Sequence, residues 1–196
     1  MQPLLRFSRF VDAVNDRVGR TIYWLILVAV VISAGNASVR YIFSTSSNSW
    51  LEAQWYLFSG VFLLCAGYTL HRNEHIRIDI VAGRLSARAQ TWIDIFGGLV
   101  FLLPMALIIL WLSVPVFLDS FARQEMSTDA GGLIRWPVKL LIPVGFLLLA
   151  MQGVSELIKR IAFVMGRIPD PVEHHQDAIL EHTLEIATGE VPGDKK

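Results

Sequence analysis

Four stretches of this chain stay apolar long enough to form their own elements, near 22–43, 51–70, 92–118 and 138–157. A bilayer core of roughly 30 Å takes about twenty helical residues, and only a helix satisfies its own backbone in hydrocarbon. None of the four shows the apolar-polar alternation of a strand. The pattern therefore predicts an all-α integral membrane protein with four transmembrane helices. Pro104 and Pro115 in the third stretch and Pro143 in the fourth predict tilting or kinking, with neighbouring helices satisfying the freed carbonyls. Ahead of the first stretch, Leu4, Phe7, Val11, Val14 and Val18 recur at three- and four-residue steps, while Arg9, Asp12, Asp16 and Arg17 fall on other faces. That spacing predicts an amphipathic helix over 1–20, lying in the headgroup layer or packed on a partner subunit. A cleaved leader is the competing reading, since 22–34 has the length of a signal-peptide core and Gly35-Asn36-Ala37 has the small-residue character of a cleavage site.

Composition agrees with a membrane domain over 21–165: 54% of the 196 residues are hydrophobic and 17% charged, with a mean hydropathy of +0.50. The formal charge of zero conceals a division. Residues 1–168 carry fifteen Lys and Arg against ten Asp and Glu, whereas the rest carries two against seven. The segment 166–196, with its proline breaks, reads as an acidic, solvated tail. The cations of the body sit in short clusters between apolar runs, where they meet phospholipid headgroups and do not form a nucleic-acid surface. Arg6, Arg9, Arg17 and Arg20 precede the first span; Arg72, Arg77, Arg84 and Arg88 separate the second and third; Lys159, Arg160 and Arg167 follow the fourth. Because Lys and Arg are retained on the cytoplasmic side, both termini are predicted to be cytoplasmic.

The chain offers little chemistry. Cys65 is the sole cysteine, so one chain cannot build a disulfide or a cysteine metal site. The spans lack the buried acids and histidines that carriers, proton relays and membrane haem sites require, and no cofactor or metal is expected. One pattern looks catalytic: His71-Arg-Asn-Glu74-His75 has the spelling of inverted zinc peptidases. No third ligand accompanies it, and its position where a span meets water makes His71 a boundary residue instead. Ser49-Trp50-Leu51-Glu52 fits a capping box, in which Ser49 caps the second span and Glu52 reaches back to the cap amide. The alternative for Glu52 is an ion or substrate role. Asp94 is expected in the first turn of the third span, favoured by the helix dipole, and Glu156 is expected to pair with Lys159 or Arg160. Ala29, Ser33 and Ala37 form a small-residue stripe that suits close helix packing, within the bundle or against a partner.

Trp50-Leu-Glu52-Ala at the start of the second span, followed by His75-Ile-Arg77-Ile-Asp79 after it, resembles the small membrane subunit of tripartite ATP-independent periplasmic (TRAP) transporters. The likeness covers about residues 5–165, including the four-span organisation. Many members carry two consecutive acids where this chain has Glu52-Ala53, so a role of the second acid has no carrier here. The stretch from Gly131 through Pro143 to Glu156 resembles the branch associated with keto acids, mannitol-like or chloroaromatic substrates. The resemblance implies a non-catalytic subunit of a sodium-coupled importer of organic acids in the bacterial inner membrane. Its partners would be a large multi-spanning TRAP subunit, which it braces, and a periplasmic substrate-binding protein. The linker residues Arg123, Glu125, Arg135 and Trp136 are the candidates for docking the latter. Two other readings are a self-sufficient four-span homo-oligomeric carrier and a membrane zinc peptidase.

Overall fold

A computed structural model describes residues 2–44, 47–72 and 87–167. Within them the chain is helical, its only strand-like pairing being one bridge between Met126 and Ile134. Helix α1 spans Gln2–Phe43, α2 Asn48–His71, α3 Ala87–Gly97, α4 Leu103–Ala122 and α5 Trp136–Val164. A single π-helical turn, Gly98–Leu102, joins α3 to α4, so the pair forms one continuous third span. All four predicted stretches fall inside helices long and apolar enough to cross a membrane. The motif residues His75, Arg77 and Asp79, and the acidic tail beyond residue 167, lie outside the described residues.

The π turn has a local cause. Pro104 has no N–H to give Val100, and its ring crowds that carbonyl, which sits inside the turn. Widening the helix there lets the Leu103 amide bond Gly98 instead, and the span continues. The expected disturbance at Pro104 is thus taken up one turn earlier.

Helix α5 is the centre of the bundle. It packs on α1, α2 and the third span, and α1 also packs along α2. Small residues set these approaches, as expected where helices associate by contact and not by exclusion from water. At Gly145 an added Cβ would stand 2.7 Å from the Leu63 carbonyl oxygen of α2, so only glycine allows the backbones this close. Helix α4 buries Ala106, Ser113 and Ser120, one residue every second turn, while its large apolar side chains, such as Trp111 and Leu112, face outward. Outward-facing apolar side chains are the normal complement of a lipid solvent.

The N-terminal segment differs from expectation. Residues 2–20 are no separate element: α1 runs unbroken for 42 residues, about 63 Å at 1.5 Å per residue and therefore about twice the bilayer core. Its buried face is Ser8, Val11, Asn15, Gly19 and Ile22, whereas Leu4 and Phe7 stay exposed. A stripe containing Ser8 and Asn15 is buried because α5 opposes it with equally polar Gln152 and Ser155. Hydrophobic periodicity pointed to an adjoining face that shares Val11 with the buried one.

Candidate functional site

Polar side chains gather at the two ends of the bundle. At one end, the first turns of α2 grip the loop between α4 and α5. Asn48 donates its side-chain amide to the Ala130 carbonyl at 3.0 Å, and the Ser49 hydroxyl donates to the Gly131 carbonyl. Buried Glu52 accepts from the Ser127 hydroxyl and, at 2.5 Å, from the Leu133 amide. One turn further, the Tyr56 hydroxyl donates to the Ile134 carbonyl at 3.0 Å. Positions 49, 52 and 56 form one face of a helix, so a single stripe of α2 holds four loop residues in register.

This arrangement replaces the expected capping box. The helix cap is Ser47, and it makes no side-chain capping bond. Ser49 is already inside the helix and Glu52 lies five residues beyond the cap, so neither has the register to bond the terminal amides. Both side chains turn to loop backbone that needs donors and acceptors just as much. Trp50 lies beside α1, its ring 4.0 Å from where a Cβ on Gly35 would be.

The loop is shaped to fit. Gly131 adopts φ +72°, and a Cβ on Gly132 would stand 2.4 Å from the Ser127 Cβ and 2.8 Å from a Glu52 carboxylate oxygen. The Ser127 and Arg135 amides bond the Leu133 and Glu125 carbonyls at 3.0 and 2.8 Å. Lys139 of α5 bonds the Glu125 carboxylate and holds it below the usual carboxylate range. We expect Glu52→Gln or Gly132→Ala to leave the helices intact but loosen the loop. Limited trypsin digestion at Arg123 and Arg135 should then run at least about tenfold faster than in the wild type. Unchanged digestion of both variants would mean that the α2 stripe does not hold the loop.

Of the linker residues expected to contact a periplasmic protein, three are engaged within the chain. Glu125 pairs with Lys139, Arg135 is held through its backbone amide on the Glu125 carbonyl while its Nε is buried without a hydrogen-bond partner among the described residues, and the Trp136 ring meets Phe121 edge-on at 5.4 Å. Arg123 remains on the surface, bonded to Asp119 at 2.8 Å. Of the stripe Ala29, Ser33 and Ala37, only Ala29 is buried; the other two stay exposed.

At the opposite end, three helices share one polar network. Ser8 and Ser155 bond at 2.6 Å, and the Asn15 amide donates to Gln152 at 2.9 Å. The Gln152 amide donates to Asp12 at 2.8 Å and to Glu156 at 3.0 Å, and the Ser155 hydroxyl donates to Asp12 at 2.9 Å. Lys159 lies 3.3 Å from Asp12 and bonds Glu156, one of the two partners expected for that acid. Arg160, the other, instead pairs with Asp94 of α3. Asp94 is eight residues into its helix, too far from the N-terminus to serve the dipole.

His71 enters this network from α2, with Nδ1 3.4 Å from Asp12 and 3.7 Å from Glu156, and Nε2 3.9 Å from Asp16. It is a largely enclosed member of the cluster, not the water-boundary residue its position predicted. Asp12, His71 and Glu156 present ligand atoms close enough for a metal ion. The Lys159 ammonium, however, already lies against both carboxylates and supplies the positive charge a metal would bring. The other two residues of the zinc-peptidase pattern, Glu74 and His75, lie outside the described residues.

Sequence reasoning missed most of this network, although a signal was present. Ser8, Asp12, Asn15 and Gly19 on α1, and Gln152, Ser155, Glu156 and Lys159 on α5, are two stripes of complementary polar residues at helical spacing.

The comparisons agree with this picture of a helical membrane subunit. The family described as "Tripartite ATP-independent periplasmic transporters, DctQ component" matches residues 28–163, well over half of the chain. The chain belongs to this family. No curated protein and no solved structure gives a match. DctQ proteins are the small component of TRAP transporters, and the four spanning helices are those of a multi-pass membrane protein. The match ends one residue short of the last residue of α5, so it takes in the clamp of α2 on the α4–α5 loop and most of the polar network at the opposite end.

Proposed function

We propose that this DctQ chain is a static brace in a sodium-coupled importer of organic acids, holding a large transport subunit in the bacterial inner membrane. One observation carries the reading: the charged side chains lie at the two ends, where Asp12 with Lys159, Asp94 with Arg160 and Glu125 with Lys139 tie one element to another. The middle of the bundle is closed by apolar and glycine contacts such as Gly145 on Leu63. A carrier needs ionisable groups along its path that change partners, and a brace needs a frame that does not move. In this reading cargo and sodium bind in the large subunit. The clamped outer loop seats the periplasmic binding protein through Arg123, while Glu125, Arg135 and Trp136 hold its shape. The cation clusters put both termini in the cytoplasm, and the exposed apolar faces are solvated by phospholipid.

Reconstitution tests the proposal. Liposomes holding the large subunit with this chain, supplied with the binding protein and a sodium gradient, are expected to accumulate an organic acid; liposomes lacking either membrane subunit are not. Uptake by this chain alone would overturn the brace and favour a self-sufficient carrier. Single-cysteine labelling at Arg123 and at Arg167 tests the orientation, with impermeant reagent expected to reach only the former in intact spheroplasts.

A further inference from the structure

The end of the bundle that carries the loop clamp has a second polar feature, one that nothing among the described residues completes. Between α1 and the start of α2 lies a groove of about 680 Å³, lined by Ser33, Asn36, Ala37, Arg40, Leu51 and Gln54 among others. Asn36 is 9% exposed, yet its side chain has no hydrogen-bond partner among the described residues. Gln54 across the groove has none either, and Arg40, one turn beyond Asn36, has no ion pair among the described residues. At the other end of the same helix the amide of Asn15, also buried, meets a side chain of α5.

The buried amide of Asn36 is costly where it stands. Hydrocarbon cannot hydrogen-bond an amide, and an enclosed polar group without a partner loses its hydration for no return. The floor of the groove is equally specific. Ser33 and Ala37 lie one turn apart and outward-facing, and small side chains at that spacing let another helix approach to backbone distance. Acyl chains would fill the volume but leave Asn36 and Gln54 unpaired. A helix bearing its own polar side chain would meet them, and a carboxylate at its end would meet Arg40.

We infer that the groove between α1 and α2 is the docking face for a transmembrane helix of the large TRAP subunit. That helix presents a small residue against Ser33 and Ala37, a hydrogen-bonding side chain to Asn36 and Gln54, and a carboxylate to Arg40. The inference rests on the proposed partnership and adds to it which face of the chain is covered. By the same argument the outward face of the third span, where Trp111 and Leu112 are exposed without polar neighbours in a comparable groove, stays in lipid.

Photo-crosslinking in membranes that co-express the large subunit tests it. p-Benzoylphenylalanine replaces Tyr41, which borders the groove and is 90% exposed, or Trp111, which is 80% exposed on the third span. A cross-link to the large subunit is expected from position 41 and not from position 111. Ala37→Trp, which fills the groove without touching the core, is expected to lower co-purification of the large subunit at least about tenfold, equivalent to about 1.4 kcal/mol. Leu112→Trp is expected to leave it unchanged, and Arg40→Glu to lower it more than Arg40→Gln. Cross-links from 111 but not 41, cross-links from 41 only to lipid or to a second copy of this chain, or wild-type yields from Ala37→Trp would each overturn the docking face while leaving the partnership intact. Failure of the wild-type chain to retain a large subunit would overturn both.

Discussion

Lys159→Met is expected to destabilise the isolated subunit by about 2–4 kcal/mol, a little under the roughly 3–5 kcal/mol for removing one partner of a fully buried ion pair. The ammonium lies against Asp12 of α1 and Glu156 of its own helix, all three side chains being 16–17% exposed. Without it two carboxylates share the amide of Gln152 at 2.8 and 3.0 Å, and their repulsion falls where α1 and α5 must touch. The loss is read as a lower melting temperature and a broadened size-exclusion peak in detergent. Asp12→Asn combined with Lys159→Met should recover about half of it or more, because the pair then leaves only one unbalanced acid. If the double variant is no more stable than the single, the cost lies in lost packing of the lysine stem and the electrostatic account fails.

Gly145→Leu is expected to cost more than about 3 kcal/mol, beyond ordinary overpacking, because the obstacle is backbone and cannot rotate away. The nearest atoms to an added Cβ are the carbonyl oxygen and carbon of Leu63, at 2.7 and 2.9 Å. Helices α2 and α5 would have to separate, and α5 is the helix on which all the others pack. Gly97→Leu in the third span is the matched control, since a Cβ there meets nothing within 4 Å; its effect should stay within about 0.5 kcal/mol. Equal melting temperatures for the two variants would show that α2 and α5 tolerate separation and that the close approach is incidental.

The brace reading and the docking groove draw on the same contrast. Asp12, Gln152, Glu156 and Lys159 meet one another between α1 and α5, whereas the buried Asn36 side chain in the groove meets none of the described residues. The loop clamp joins the two ideas. By fixing the α4–α5 loop onto α2, Glu52 gives the surface beside the groove one shape in which to meet the rest of the transporter.

The sequence by itself determined the helical class, the four spans and the family, because each depends on local sums. Twenty apolar residues cross a bilayer whatever their neighbours do, and Trp50, Glu52 and His75-Ile-Arg77-Ile-Asp79 are legible as a string. It also marked Ser49 and Glu52 as structural, but on the wrong partner. The S-x-x-E spacing describes a helix end only when Ser is the cap, and the loop that claims both residues lies about eighty positions away. The N-terminal segment went astray for a related reason. Periodicity assigns the buried face to apolar residues, whereas Ser8 and Asn15 are buried because Ser155 and Gln152, more than 130 residues distant, arrive opposite them. Only the tertiary structure decides which polar groups meet, since a hydrogen bond requires two partners at one distance and angle, and hydropathy records neither.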